Sequence, residues 1–113
     1  MKLVALAAII AALSVPSALA ATPTLTGTVG PGFTITLTKG GVKVSKLKAG
    51  TYVVKVSDKS NIHNFHLKGP GVDKKTSVGG TGSSSWTVKL TAGKYTFVCD
   101  PHKTIMKGSF TVS

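Results

Sequence analysis

The chain has 113 residues and one cysteine, and its 14 basic residues against three acids give a formal net charge of +11. One cysteine excludes an internal disulfide and an iron–sulfur cluster, so a small core must hold the fold together, and a bound metal is the one cross-link left that could help it. The charge attracts anions, yet the basic residues are all lysine and no aromatics cluster among them, which argues against nucleic acid as the partner.

Residues 1–20 read as a cleaved secretory signal peptide. Lys2 opens a short positive start, Leu3 to Val15 is apolar apart from Ser14, and Ser17-Ala18-Leu19-Ala20 supplies a small-x-small cleavage pattern. Pro16 and that pattern speak against an uncleaved anchor. The expected product is 21–113, a single domain and a monomer, exported to the periplasm or the exterior without stable membrane insertion. Loss of Lys2 with the leader leaves a charge of +10. Exported proteins usually pair their cysteines, so the lone thiol asks for another role.

Along 21–113 the apolar residues recur with period two. Phe33, Ile35 and Leu37 form one such set, followed by Tyr52, Val54 and Val56, then Trp86, Val88 and Leu90, then Phe110 and Val112. Each set predicts a strand with one buried face. Between them lie Gly30-Pro31-Gly32, Gly40-Gly41, Ala49-Gly50, Gly69-Pro70-Gly71, Gly79-Gly80 and Ala92-Gly93, all turn signals. "LKAGTYVVKVSD" (47–58) echoes "LTAGKYTFVCD" (90–100). No helix is predicted in 21–113. The fold class is all-β: a Greek-key antiparallel β-sandwich of seven or eight strands.

The chemistry gathers in "FVCDPHKTIMKGSF" (97–110). Tyr95, Phe97 and Cys99 share a strand face, Pro101 ends the ladder, His102 follows three residues after Cys99, and Met106 four after that. A further donor is expected from "NIHNFHLKGPG" (61–71), where His63, Phe65 and Leu67 share what reads as the core face and His66 points away. Thiolate and thioether are soft ligands, and two imidazoles with one thiolate and a weak methionine suit a blue copper site. Structural zinc prefers four strong ligands. A nucleophilic Cys–His pair lacks an orienting acid and leaves Met106 without a role. Taken singly, Cys99 could be a small buried hydrophobe, His66 the ligand in place of His63, Met106 core packing and Asn64 a turn residue.

The chain resembles the cupredoxins, the small blue copper proteins, and within them the plastocyanin, pseudoazurin and amicyanin group. The likeness spans most of 25–113 and rests on "HNF" (63–65), "GPG" (69–71), "WTVKLTAGKYTFVCDPH" (86–102) and "MKGSF" (106–110). It implies a sandwich holding one copper ion, Cu(I) or Cu(II), at one end, with metal ligands His63, Cys99, His102 and Met106. His102 would be the more exposed histidine and Met106 the long axial ligand. Asn64 would bond across to the loop that carries the cysteine. The segments 30–33 and 69–71 are expected to frame the copper end.

The expected function is an exported type 1 copper protein that shuttles single electrons, not an enzyme. An oxidase or nitrite reductase would need more histidines than three. The alternatives are extracytoplasmic copper scavenging or delivery, and an adhesion-like sandwich. The expected partners are redox proteins, acidic ones being favoured by the charge. They would meet Lys68, Lys103 and Lys107 around an apolar patch of Pro70, Pro101 and Ile105.

Overall fold

A computed structural model describes residues 21–113, so the proposed signal peptide lies outside the described residues. The period-two pattern becomes ten strands: β1 (Thr24–Val29), β2 (Ile35–Lys39), β3 (Val42–Lys43), β4 (Lys46–Leu47), β5 (Gly50–Asp58), β6 (His66–Gly69), β7 (Val72–Lys75), β8 (Gly82–Leu90), β9 (Gly93–Val98) and β10 (Lys107–Val112). β3 and β4 are two-residue pairings, which accounts for the excess over seven or eight. One 3-10 turn, Asp100–His102, follows β9. No described helix is long and apolar enough to cross a membrane.

The strands form two five-stranded sheets, in the orders β3-β2-β1-β5-β8 and β4-β10-β9-β6-β7. The sandwich is as expected, but its sheets are mixed. β1 runs parallel to β5, with Val29 opposite Asp58, and β4 runs parallel to β10. Period-two patterning states which face of a strand is buried and says nothing of which strand lies beside it.

The core fills the space between the sheets. Leu25, Val54, Leu67, Leu90 and Tyr95 are fully buried within it. Phe65 stacks on Phe97 at 5.7 Å, and Tyr95 on Phe110 at 5.3 Å. Such aromatic pairs add about 0.5–1.5 kcal/mol each beyond the area they bury. The two echoing segments become β5 and β9, each flanked by strands on both sides. In each, the tyrosine hydroxyl ties down a nearby carbonyl: Tyr52 to that of Lys48 at 2.7 Å, Tyr95 to that of Pro70 at 2.8 Å.

The pairing fixes which loops share an end. β1 and β5 finish side by side, and the N–H of Lys59 donates to the Val29 carbonyl at 2.9 Å. β9 finishes with Val98 opposite both His66, which opens β6, and Lys107, which opens β10. Residues 30–34, 59–65 and 99–106 therefore converge. The Gly69-Pro70-Gly71 turn lies at the other end, because Lys68 already pairs with Thr96 and Pro70 packs against Gly93 at the start of β9. This corrects the expectation that 69–71 frames the metal end and that Pro70 joins its patch. A turn signal marks where a chain reverses, not at which end of the sheet it does so.

Gly108 shows how tightly neighbouring strands pack near the metal end. A Cβ built there would collide with the ring of Phe97, its cross-strand partner. Gly108→Ala should therefore destabilise the copper-free protein by about 1–3 kcal/mol in urea melts, the usual cost of overpacking. A change within ±0.5 kcal/mol would show that the ring can move aside.

Candidate metal centre

Cys99 arrives at the site as the next inward position after Tyr95 and Phe97, and all three are buried. The following loop is tied at both ends. The N–H of Cys99 donates to the Met106 carbonyl at 3.0 Å, that of His102 to the Cys99 carbonyl at 3.0 Å, and that of Met106 to the His102 carbonyl at 2.8 Å. Pro101 sits inside the 3-10 turn and fixes its φ. Cysteine, histidine and methionine are thereby carried on one short, closed loop, with Met106 buried at its end.

His63 comes from the opposite loop and is fully buried. Asp58 shapes that loop: its Oδ1 accepts the N–H of Ser60 at 3.0 Å, and the Ser60 hydroxyl accepts that of Ile62 at 3.3 Å. These are the short side-chain turns that Asp and Ser favour after a strand. Gly30, at φ 76°, passes so close that a Cβ there would sit 2.9 Å from Cβ of Ser60 and 3.4 Å from the His63 ring.

Three donor atoms face one another: Nδ1 of His63, Nδ1 of His102 and Sγ of Cys99. The two nitrogens are 3.1 Å apart, and the sulfur is 3.6 Å from His63 and 3.5 Å from His102. Two imidazole nitrogens and a sulfur turned toward one spot are three soft or borderline donors that a single cation between them would engage at once. The circumradius of a triangle with these sides is about 2.0 Å, the length of a metal–imidazole bond. The set holds one soft thiolate and two borderline nitrogens, which suits copper. Nε2 of His63 is buried without a protein partner, which leaves Nδ1 as the nitrogen that works here.

The family model for the cupredoxin-like domain matches residues 3–112. The chain belongs to the cupredoxin family. His63, Cys99, His102 and Met106 are arranged as its single copper site. Among solved structures, this cupredoxin is similar to reduced rusticyanin, with a TM-score of 0.62, 24% identity and coverage of 81% of this chain and 79% of that one. It is likewise similar to rusticyanin from Thiobacillus ferrooxidans, with a TM-score of 0.57, 25% identity and coverage of 81% and 77%. No curated protein matches the sequence.

Around the donors the cupredoxin chain is densely bonded. Asn64 is buried; its Oδ1 accepts the N–H of Asp100 at 2.7 Å and its Nδ2 donates to Oδ2 of Asp100 at 2.8 Å. The expected bond from Asn64 to the cysteine loop is therefore present, doubled, at the residue after Cys99. Nδ2 also reaches the Thr76 carbonyl at 3.2 Å, while the Thr76 hydroxyl accepts the N–H of Phe65 at 2.9 Å. Sequence reasoning missed Thr76, since nothing in a Lys-Lys-Thr run marks a bond to a residue eleven positions away.

Two further residues differ from expectation. Phe33 is not an inward strand residue, because β2 begins only at Ile35. It is 56% exposed and meets the His63 and His102 rings edge-on at 5.1 and 5.0 Å. His66 does point away from the core, but it is not a bare surface histidine. Its Nε2 meets Oδ1 of Asp73 at 2.6 Å, and its Nδ1 meets the two Asp100 oxygens at 2.9 and 3.1 Å. Ligation by His66 in place of His63 is thereby ruled out by geometry.

His66 lies between two carboxylates, and its pKa reflects that. Partial burial pulls the pKa down, but the bonds to Asp100 and then Asp73 outweigh it and leave it above 6.5. The bond to His66 holds Asp73 below the usual carboxylate range. Burial pushes Asp100 up, yet its bonds to His66 and Asn64 bring it below that range too.

The His66 contribution to stability is complete below its unfolded pKa of about 6.5 and is lost as pH rises through the raised folded value. The aspartate contribution is present above about pH 3.9 and is lost as pH falls through the depressed values. Stability of the copper-free protein should therefore be greatest between about pH 4 and 6.5 and should decline above that range. In His66→Gln the decline above pH 6.5 should largely disappear in urea melts. An equal decline in variant and wild type would place its origin elsewhere.

Proposed function

We propose that this chain is an exported carrier of single electrons, and not an enzyme, whose redox centre is one copper ion held by His63, Cys99, His102 and Met106. When bound, the ion supplies a one-electron Cu(I)/Cu(II) couple. The observation that carries the reading is a donor set held at ligand spacing by the chain's own hydrogen bonds, with only one donor near the surface. Cys99 and His63 are buried, so water is kept from them, and the closed 99–106 loop resists displacement of its donors. Donors that stay in place when the charge changes lower the cost of electron transfer. The remaining histidine, His66, is already engaged by Asp73 and Asp100, so among the described residues no second set of copper ligands, as an oxidase would need, is assembled.

His102 is the partly exposed donor; Phe33 meets its ring, Ile105, 64% exposed, bonds back to its carbonyl, and Ile62, 50% exposed, adjoins His63 on the facing loop. Pro31 and Pro101 are exposed beside them, and Lys103 and Lys107 are exposed on the same loop and the strand it enters. An apolar centre with a basic rim favours brief docking of an acidic redox protein: charge speeds the encounter and the small patch lets it end. The signal-like residues 1–20 and the excess of lysine support export and an acidic partner.

The runner-up is copper scavenging or delivery, and one kinetic experiment separates the two. A carrier should retain Cu(I) against a mild chelator while exchanging electrons rapidly with an acidic redox protein. That rate should fall steeply with ionic strength, and Lys103→Glu should slow it roughly tenfold at low salt. Lys94→Glu, at the start of β9 and thus at the far end, should change it little. Rapid loss of Cu(I) with sluggish exchange would favour delivery. Equal effects of the two substitutions would remove the steering.

A further inference from the structure

The bond between Asn64 and the cysteine loop does not stop at Asp100. From that carboxylate a line of contacts runs outward through His66 to Asp73, an exposed residue on β7. His66 also sits directly opposite Val98 across the β6–β9 ladder, one residue before Cys99. Its ring is thus placed by the backbone beside the strand that delivers the thiolate and by its side chain against the next residue. We infer that His66 is a positioning residue of the copper site: held between Asp73 and Asp100, its imidazolium fixes the Asp100 carboxylate and offsets its charge beside the Cys99 thiolate, and so raises the reduction potential of the copper.

The physical basis is charge and register together. Two side chains bond Asp100: Asn64, which accepts its backbone N–H and donates to its Oδ2, and His66, whose Nδ1 meets both carboxylate oxygens. Without His66 the carboxylate keeps only the neutral amide of Asn64. A negative charge left uncompensated near the thiolate favours Cu(II) over Cu(I) and lowers the potential. The remaining charged groups around the pair are Lys68 on β6 and Lys75 on β7, both of which lie close enough to act on Asp73 or Asp100. Neither is bonded to Asp100 in the way His66 is, so neither replaces it. Each aspartate reaches the imidazole from a different element, Asp73 from β7 and Asp100 from the metal loop. The ring therefore also pins the edge of the second sheet to the site.

The inference rests on the copper reading, and the test separates the two. At pH 6, below the point where His66 would lose its proton, His66→Gln should lower the potential of the copper-loaded full chain. Asp73→Asn removes an exposed negative charge and leaves His66 bonded to Asp100, so it should raise the potential by a smaller amount. Opposite signs distinguish a charge effect from loosening, which would move both variants the same way. Both variants should keep the intense thiolate band of the wild type. In the metal-free chain, hydrogen exchange at the Asp100 N–H should accelerate several-fold in His66→Gln and less in Asp73→Asn. Shifts of equal sign, or no shift in either variant with the band intact, would overturn the inference. If the wild type forms no such band, the copper reading fails, and the exchange rate alone decides: unchanged protection at Asp100 would overturn the positioning role as well. Should His66→Gln not fold, the surface change Asp73→Asn carries both measurements.

Discussion

The two hydrogen bonds between Asn64 and Asp100 join the halves of the site. His63 stands on one loop and Cys99 on another, and the loops come from parts of the chain 36 residues apart. Asn64 adjoins His63 and Asp100 adjoins Cys99, so a fixed Asn64–Asp100 distance fixes the spacing of the two donors to within the play of one residue on each side. Both partners are short side chains or backbone, which leaves little slack. Asn64 is buried, and a buried amide that loses its partner costs about 1–3 kcal/mol, so the clamp is hard to open.

The clamp needs a frame that brings those loops together, and the mixed pairing supplies it. β1 and β5 run the same way and end side by side, which places residues 30–34 next to 59–65. In the second sheet, β9 ends where β6 and β10 begin. The core of Phe65, Phe97, Tyr95 and Phe110 stacks directly behind the donors. Since Phe65 follows Asn64 and Phe97 lies two residues before Cys99, any shift of the ligand strands would have to break that stack. Rigidity of the metal centre thus derives from ordinary core packing, supplemented by the loop's own bonds.

Much of this was legible in the sequence, for identifiable reasons. Cys99, His102 and Met106 lie on one loop, so their spacing alone brought them together. His63 was legible through parity, because it shares its face with Phe65 and Leu67 and all three are buried. The role of His66 was not, because its partners lie seven and 34 residues away on other elements. Phe33 fitted the alternation of Ile35 and Leu37, but the turn after Gly30 extends past it and turns it toward the two histidines instead. Gly69-Pro70-Gly71 reads as a turn from its residues alone, but the end of the sheet at which it lies depends on register with β9. Local chemistry was readable; contacts set by register and topology were not.

The central claim is that the chain holds one copper ion through a thiolate in a site that accepts and releases a single electron. Titration of the purified protein with Cu(II), followed in the visible spectrum, tests it most directly. The expected result is an intense thiolate-to-copper band that saturates at one equivalent, is bleached by ascorbate and returns on reoxidation. A colourless mixture, a band that keeps growing beyond one equivalent, or bleaching with loss of the metal would contradict it.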